Sequence, residues 1–203
     1  MAAATLADSP ETGTRSRIVA TAERLFREIG YQKTTVADIA KSLKMSPANV
    51  YRFFDSKKAI NEAVAERLMG EVEAALDAII ARPEPAARRF RDLVDAIHRM
   101  NTDRYTGSQR MHEIVEVAMV ESWPVVQGHI ERVLGLFEQL MAEGKASGEF
   151  VLDDPRRAAL CAKTAILRFL HPQLLVQCAN EPGPSLDEMT DFVLVALGVR
   201  GPS

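Results

Sequence analysis

"TTVADIAKSLKMSPANVYRFF", residues 34–54, decides how the rest of the chain is read. It holds two helix openings in quick succession. Thr35 caps a helix with Val36, Ile39, Ala40 and Leu43 facing inward, and Asp38 stands where it completes a capping box. Ser46 caps a second helix, with Pro47 at its first position. Only "KMS" separates residues 36–43 from residues 47–53, which is the spacing of a helix-turn-helix. A helix as short as the second is unstable alone. It must be held from behind, and Ile39, Leu43, Val50 and Phe54 can pack the pair onto Leu25 and Phe26. Ala40 is small where the second helix crosses close.

The front of that helix carries chemistry suited to duplex DNA. Asn49 can bond an adenine edge, Ala48 can touch a thymine methyl, and Arg52 can reach guanine or phosphate. Tyr51 offers a hydroxyl to a phosphate, and Lys57 sits where free N–H groups of the next helix add to its charge. Lys33, Thr34, Thr35, Lys44 and Ser46 complete the set of DNA-contact candidates.

Charge partition agrees. The net charge of −3 argues against nucleic acid, but residues 1–58 hold ten Lys/Arg against six Asp/Glu, and residues 59–203 hold fifteen against twenty-two. A basic N-terminal quarter therefore precedes an acidic body.

"GYQKTTVADIAKSLKMSPANVYRFFDSKKAI", residues 30–60, resembles the DNA-binding region of the TetR family of bacterial repressors. The features that match are Gly30-Tyr31, Thr34 and Thr35, Ile39-Ala40, the aromatic run from Tyr51 to Phe54, and Lys57. The resemblance covers about residues 15–63; beyond it the likeness is one of architecture alone. It implies a nine-helix, all-α fold and a homodimeric DNA-binding regulator. The family's usual glycine in the turn between the two helices is replaced by Lys44, which then takes a left-handed backbone at a cost of about 1 kcal/mol. "PAN" also replaces the family's frequent glycine or lysine early in the reading helix.

Helical periodicity continues almost to the end, without strand alternation, repeats or low-complexity stretches. Residues 1–14 read as a disordered tail, 15–56 as the helix-turn-helix domain, and 57–203 as a helical regulatory and dimerisation domain. In the first helix Ile18, Ala22, Leu25, Phe26 and Ile29 share a face, and Gly30 stops it. Further helices are expected over 57–80, 85–102, 108–122, 123–146, 155–179 with a kink at Pro172, and from Ser185 and Glu188, a capping box, to Gly198.

Apolar residues make up 47% of the chain, enough for a core without disulfides. Cys161 and Cys178 read as buried thiols, as a reducing cytoplasm would allow. No export signal or membrane span is expected, which places the protein in the cytoplasm. His112 and Glu116 lie four apart without a second pair, so no metal is expected. No phosphate loop, nucleophile elbow or cofactor motif is present, and neither enzyme activity nor a cofactor is expected.

Two further functions fall on the body. His98, Met100, Met119, Trp123, Phe137 and Phe169 are candidates to line an apolar or amphipathic ligand cavity, with ordinary core packing as the alternative. Leu160, Thr164, Leu167, Leu174, Leu175, Phe192, Val195 and Ala196 form stripes wide enough for a four-helix dimer interface. The expected partners are a near-palindromic double-stranded operator, a small-molecule inducer and a second copy of the chain. Two other readings stay open: a helical protein-binding module with a non-functional helix-turn-helix, and a regulator without a ligand.

Overall fold

A computed structural model describes residues 10–106, 109–121 and 123–199. All secondary structure among them is helical, in eleven helices. In order these are α1 (Pro10–Ile29), α2 (Val36–Ser42), α3 (Pro47–Tyr51), α4 (Lys57–Ile80), α5 (Ala86–Tyr105), α6 (Gln109–Glu121), α7 (Trp123–Ser147), α8 (Pro155–Ala165), α9 (Leu167–Leu170), α10 (Pro172–Gln177) and α11 (Leu186–Ala196). They fall into two compact units. One, the head, takes the chain up to Arg67 and residues 109–123; the other, the body, takes residues 68–108 and 124 onward. The division falls inside α4, not before it, and α6 joins the head.

The head core is built from α1, α2, α3, the start of α4 and α6. Ile18, Val19, Ala22 and Phe26 of α1 are buried with Ile39, Ala40, Val50, Phe54 and Ile60. Ile29 is exposed and Leu25 half-buried, so Val19 belongs to the inner stripe and Ile29 does not. The helix also starts at Pro10, which makes residues 10–14 helical where a tail was expected; residues 1–9 lie outside the described residues. α6 joins the head because Met111, Ile114 and Ala118 bury an apolar face while the helix packs on α1. The Arg110 guanidinium donates to the Glu28 carbonyl near the end of α1. Gly30 follows with φ +95°, and a side chain there would stand 3.1 Å from the Glu113 carboxylate.

The body core centres on Phe90 and Phe137, which meet edge to face with centroids 5.6 Å apart, among Leu76, Leu93, Leu140 and Met141. Pro85 gives α5 no side-chain cap. Glu149 supplies one from a distance, accepting from the Ala86 and Ala87 N–H groups at 3.0 and 3.1 Å. Arg89 donates to the Ile80 carbonyl at 2.7 Å and pairs with Glu143 at 2.7 Å, tying the end of α4 to α5 and α7.

Residues 155–179 do not form one kinked helix. They form α8, α9 and α10, which raises the helix count from nine to eleven. Pro172 has no N–H, and His171 before it is extended (φ −80°, ψ 126°). The carbonyls of Phe169 and Leu170 turn to α5 instead, reaching His98 Nδ1 at 2.8 Å and Asn101 Nδ2 at 2.7 Å. His171 Nδ1 accepts from the Gln173 N–H, and burial pushes its pKa down, which favours the unprotonated nitrogen an acceptor needs. Neither cysteine is fully buried: Cys161 is exposed and Cys178 intermediate, both as free thiols.

Candidate nucleic-acid interface

α3 has only five residues, and three local devices hold it. At its start, Ser46 Oγ accepts from the Asn49 N–H at 3.2 Å and Pro47 takes the first position. At its back, Val50 is fully buried and Phe54 nearly so. In front of it the turn from α2 contains Lys44, with φ +56° as its replacement of a turn glycine requires. α2 is fixed by the capping box. Thr35 Oγ1 accepts from the Asp38 N–H at 3.1 Å and donates to the Asp38 carboxylate at 2.6 Å. That hydroxyl, followed by the Thr35 N–H, holds the Asp38 carboxyl below its ordinary pKa.

The outer face of α3 presents Ala48, Tyr51 and Arg52, all exposed, with Tyr51 at 50%. Asn49 is half-buried, and its side-chain amide donates to the Met45 sulfur at 3.8 Å. A thioether is a weak acceptor and is readily exchanged for a base edge. Lys33, Thr35, Lys44 and Ser46 are exposed nearby. Lys57 is half-buried: its ammonium donates to the Gln32 carbonyl at 3.3 Å and lies 4.1 Å from the Tyr31 ring centroid. Tyr31 in turn packs edge-on to Phe26. Lys57 is thereby aimed by a carbonyl and an aromatic ring. Thr34 departs from the expected set. It is fully buried and its hydroxyl donates to the Gly30 carbonyl at 2.7 Å, so it shapes the α1–α2 turn and its side chain is withdrawn from the surface.

Charge distinguishes this face. Arg15, Arg17, Lys33, Lys44 and Arg52 form no ion pair among the described residues, while Arg24, Arg27 and Arg67 pair with Glu28 and Glu23. Arg15 was not among the expected site residues. Its guanidinium lies 4.7 Å from the Phe54 ring centroid. Only the absence of a partner in three dimensions reveals it, because Glu11 stands four residues earlier and sequence would pair the two.

The ligand candidates divide between the units. His98, Met100, Phe137 and Phe169 lie in the body, Met119 lies in the head, and the Trp123 side chain is outside the described residues. His98 and Phe169 are brought together by the bond from the His98 ring to the Phe169 carbonyl. Phe137 is fully buried against Phe90 and is core. Among the described residues no three His, Cys, Asp or Glu side chains gather as a metal would need.

The dimer candidates lie on α8, α9, α10 and α11. Leu160, Thr164, Leu167, Phe192, Val195 and Ala196 are exposed, with Phe192 at 67% and Val195 at 60%. Leu174 and Leu175 on α10 are half-buried.

A capped helix-turn-helix that carries exposed, unpaired cations defines a DNA-binding head. Residues 18–64 match the family described as bacterial regulatory proteins, tetR family, and residues 86–187 match the tetracyclin repressor-like C-terminal domain. The chain belongs to the TetR family of bacterial regulatory proteins.

Among relatives, the biofilm operon negative transcriptional regulator IcaR of Staphylococcus aureus (strain Newman) is 48% identical over 48 residues, 24% of this chain and 26% of IcaR. The transcriptional regulator UidR of Escherichia coli (strain K12) is 32% identical over 85 residues, 42% of this chain and 36% of UidR. The chain thus spans about a quarter of IcaR and about a third of UidR. The solved TetR/AcrR-family transcriptional regulator of Thermobifida fusca YX-ER1 superposes with a TM-score of 0.60 at 26% identity, covering 91% of this chain and 96% of that one.

Proposed function

We propose that this protein is a sequence-specific repressor of transcription that binds a near-palindromic operator as a homodimer. The observation that carries this reading is the outer face of α3, where exposed Ala48, Tyr51 and Arg52 stand among cations without acidic partners. Burying such a face against protein would strand several charges, whereas phosphate neutralises them. The negative regulator IcaR, similar over the match above, supports the sign of the effect. The exposed stripe of Leu160, Leu167, Phe192 and Val195 fits a second copy of itself around a twofold axis. The two reading helices then enter major grooves about 34–36 Å apart. Among the described residues no helix is long and apolar enough to cross a membrane, and a protein that reads the chromosome works in the cytoplasm.

Release by a small apolar or amphipathic ligand is the second part of the reading. α4 runs unbroken from Lys57 to Ile80, across the point where the two units divide, so it can carry a shift between them. A ligand acts only through its differing affinity for the two states, typically about 1–3 kcal/mol, and operator must weaken ligand binding by the same factor. The burial of Phe137 and the division of the ligand candidates between units favour a second reading, a body that dimerises and takes no ligand.

Selection of bound fragments from random duplex DNA tests the core of the proposal. The expected outcome is a near-palindromic consensus. Asn49→Ala should then cost about 1–3 kcal/mol and relax preference at one position per half-site. Lys57→Ala should weaken binding to all sequences alike. If both variants behave identically across sequences, Asn49 is not a base reader.

A further inference from the structure

We infer that Arg15 of α1 joins Arg52 at the end of α3 in a phosphate clamp, a backbone contact at the margin of the reading face; this rests on the DNA-binding reading above. A cavity of about 350 Å³ opens between the two elements, lined by Glu11, Thr12, Arg15, Arg52 and Phe53. Both arginines are exposed, and neither forms an ion pair among the described residues. Two cations line this cleft against one carboxylate, Glu11, with which neither forms an ion pair, so the cleft carries a net positive charge suited to a further anion. A guanidinium presents planar paired donors that match phosphate oxygens, and the two can hold neighbouring phosphates of one strand.

Arg15 is held for that task. Its guanidinium lies over the Phe54 ring, 4.7 Å from the centroid, and Phe54 is the buried residue that closes the back of α3. The same ring therefore supports the reading helix and orients the arginine beside it. Stacking leaves the N–H edge of the guanidinium unoccupied, so the contact positions the charge without consuming its donors.

Glu11 is the feature that tunes the clamp. It lines the same cavity and stands four residues before Arg15, yet it forms no ion pair with it. Its carboxylate opposes a phosphate entering the cavity and limits affinity. DNA backbone is the anion favoured here over a free phosphate metabolite, because the cavity adjoins the exposed end of α3.

Salt titration of duplex binding tests the clamp, with the full chain as dimer. Arg15→Ala should weaken binding about tenfold or more to every sequence and flatten the salt slope by about one unit per protomer. Arg15→Lys keeps the charge and should recover most of the slope. Glu11→Gln should tighten binding severalfold. Inorganic phosphate at millimolar concentration should neither compete with duplex nor raise the melting temperature; competition by it would reassign the cavity to a free anion. If Arg15→Ala matches wild type in affinity and slope while wild type binds duplex steeply with salt, the clamp is wrong and the DNA reading stands. If wild type shows no salt-dependent duplex binding, the reading itself fails and the clamp falls with it. Equal losses in Arg15→Ala and Arg15→Lys, accompanied by lowered melting temperatures, would assign Arg15 to fold support and overturn the proposal.

Discussion

Most arginines of the body are ion-paired, while Arg15, Arg17 and Arg52 of the head are not. In the body, Arg82 pairs with Asp92, Arg89 with Glu143, Arg91 with Asp191, Arg104 with Glu71, Arg132 with Asp77, and Arg156 with Glu131 and Glu138. In the head, Arg15, Arg17 and Arg52 have no acidic partner among the described residues, and neither have Lys33 and Lys44. Surface pairs add little stability each, so the body's pairs matter mainly because they reduce its open charges, although Arg99, Arg157 and Arg168 form no ion pair among the described residues. An open cation is free to release counterions when it meets a phosphate; a paired one is not. Together with the exposed face of α3, the open cations of the head point to a DNA-facing side that net charge does not show, since the whole chain is acidic.

Perturbing each region should leave the other's property alone. The largest effect on folding is expected at Gly144 in α7, where a side chain would stand 2.1 Å from the Phe150 ring. Gly144→Ala overfills the body and should cost about 1–3 kcal/mol in thermal or denaturant unfolding. Its salt slope for DNA, measured below the transition, should stay that of wild type. A changed slope would mean that the head's charges depend on body packing.

Lys44→Gly sharpens the comparison from the other side. Relieving the left-handed backbone at φ +56° should stabilise the protein by up to about 1 kcal/mol, even though a charge is lost. The same change should weaken DNA binding and flatten the salt slope by about one unit per protomer. Stability and function would then move in opposite directions at one exposed residue. Unchanged DNA affinity would make Lys44 an ordinary surface lysine.

The smallest effect is expected at Glu149. Burial raises its pKa, but the Ala86 and Ala87 N–H groups, the Ser147 hydroxyl and the charge of Arg89 outweigh that and hold it below the ordinary glutamate value. A depressed carboxyl stabilises the fold fully above its unfolded pKa of about 4.3, and the contribution is lost as pH falls through the lower folded pKa. Glu149→Gln should cost about 1 kcal/mol at neutral pH as a lost helix cap, and should lessen the fall in melting temperature below about pH 4. An unaltered acid limb would show that Glu149 does not cap α5 in solution.

What sequence discloses here follows the range of the interactions. The Thr35–Asp38 and Ser185–Glu188 capping boxes and the Ser46 cap are readable because each is made within four consecutive residues. The left-handed Lys44 follows from its replacing a turn glycine. Stripes on α8 and α11 follow from helical period alone. The division into α8, α9 and α10 was hidden, because the freed carbonyls are taken by His98 and Asn101 about seventy residues away. Thr34 misled for a related reason: a threonine beside a DNA-facing turn is ambiguous until its hydroxyl is seen bonded to the Gly30 carbonyl. Arg15 was hidden because the local rule pairs it with Glu11, whereas packing lays it on Phe54.

The slope of log K against log salt for duplex binding decides whether the open cations of the head face DNA. Arg15, Lys33, Lys44, Arg52 and Lys57 from two protomers can neutralise several phosphates, each adding about 0.9 to the slope. The expected slope is about −5 to −9 for wild type, the same for Arg132→Ala, and shallower by about two for Arg52→Ala. A slope near zero, or an Arg132→Ala change as large as that of Arg52→Ala, would contradict the DNA-facing placement of these cations.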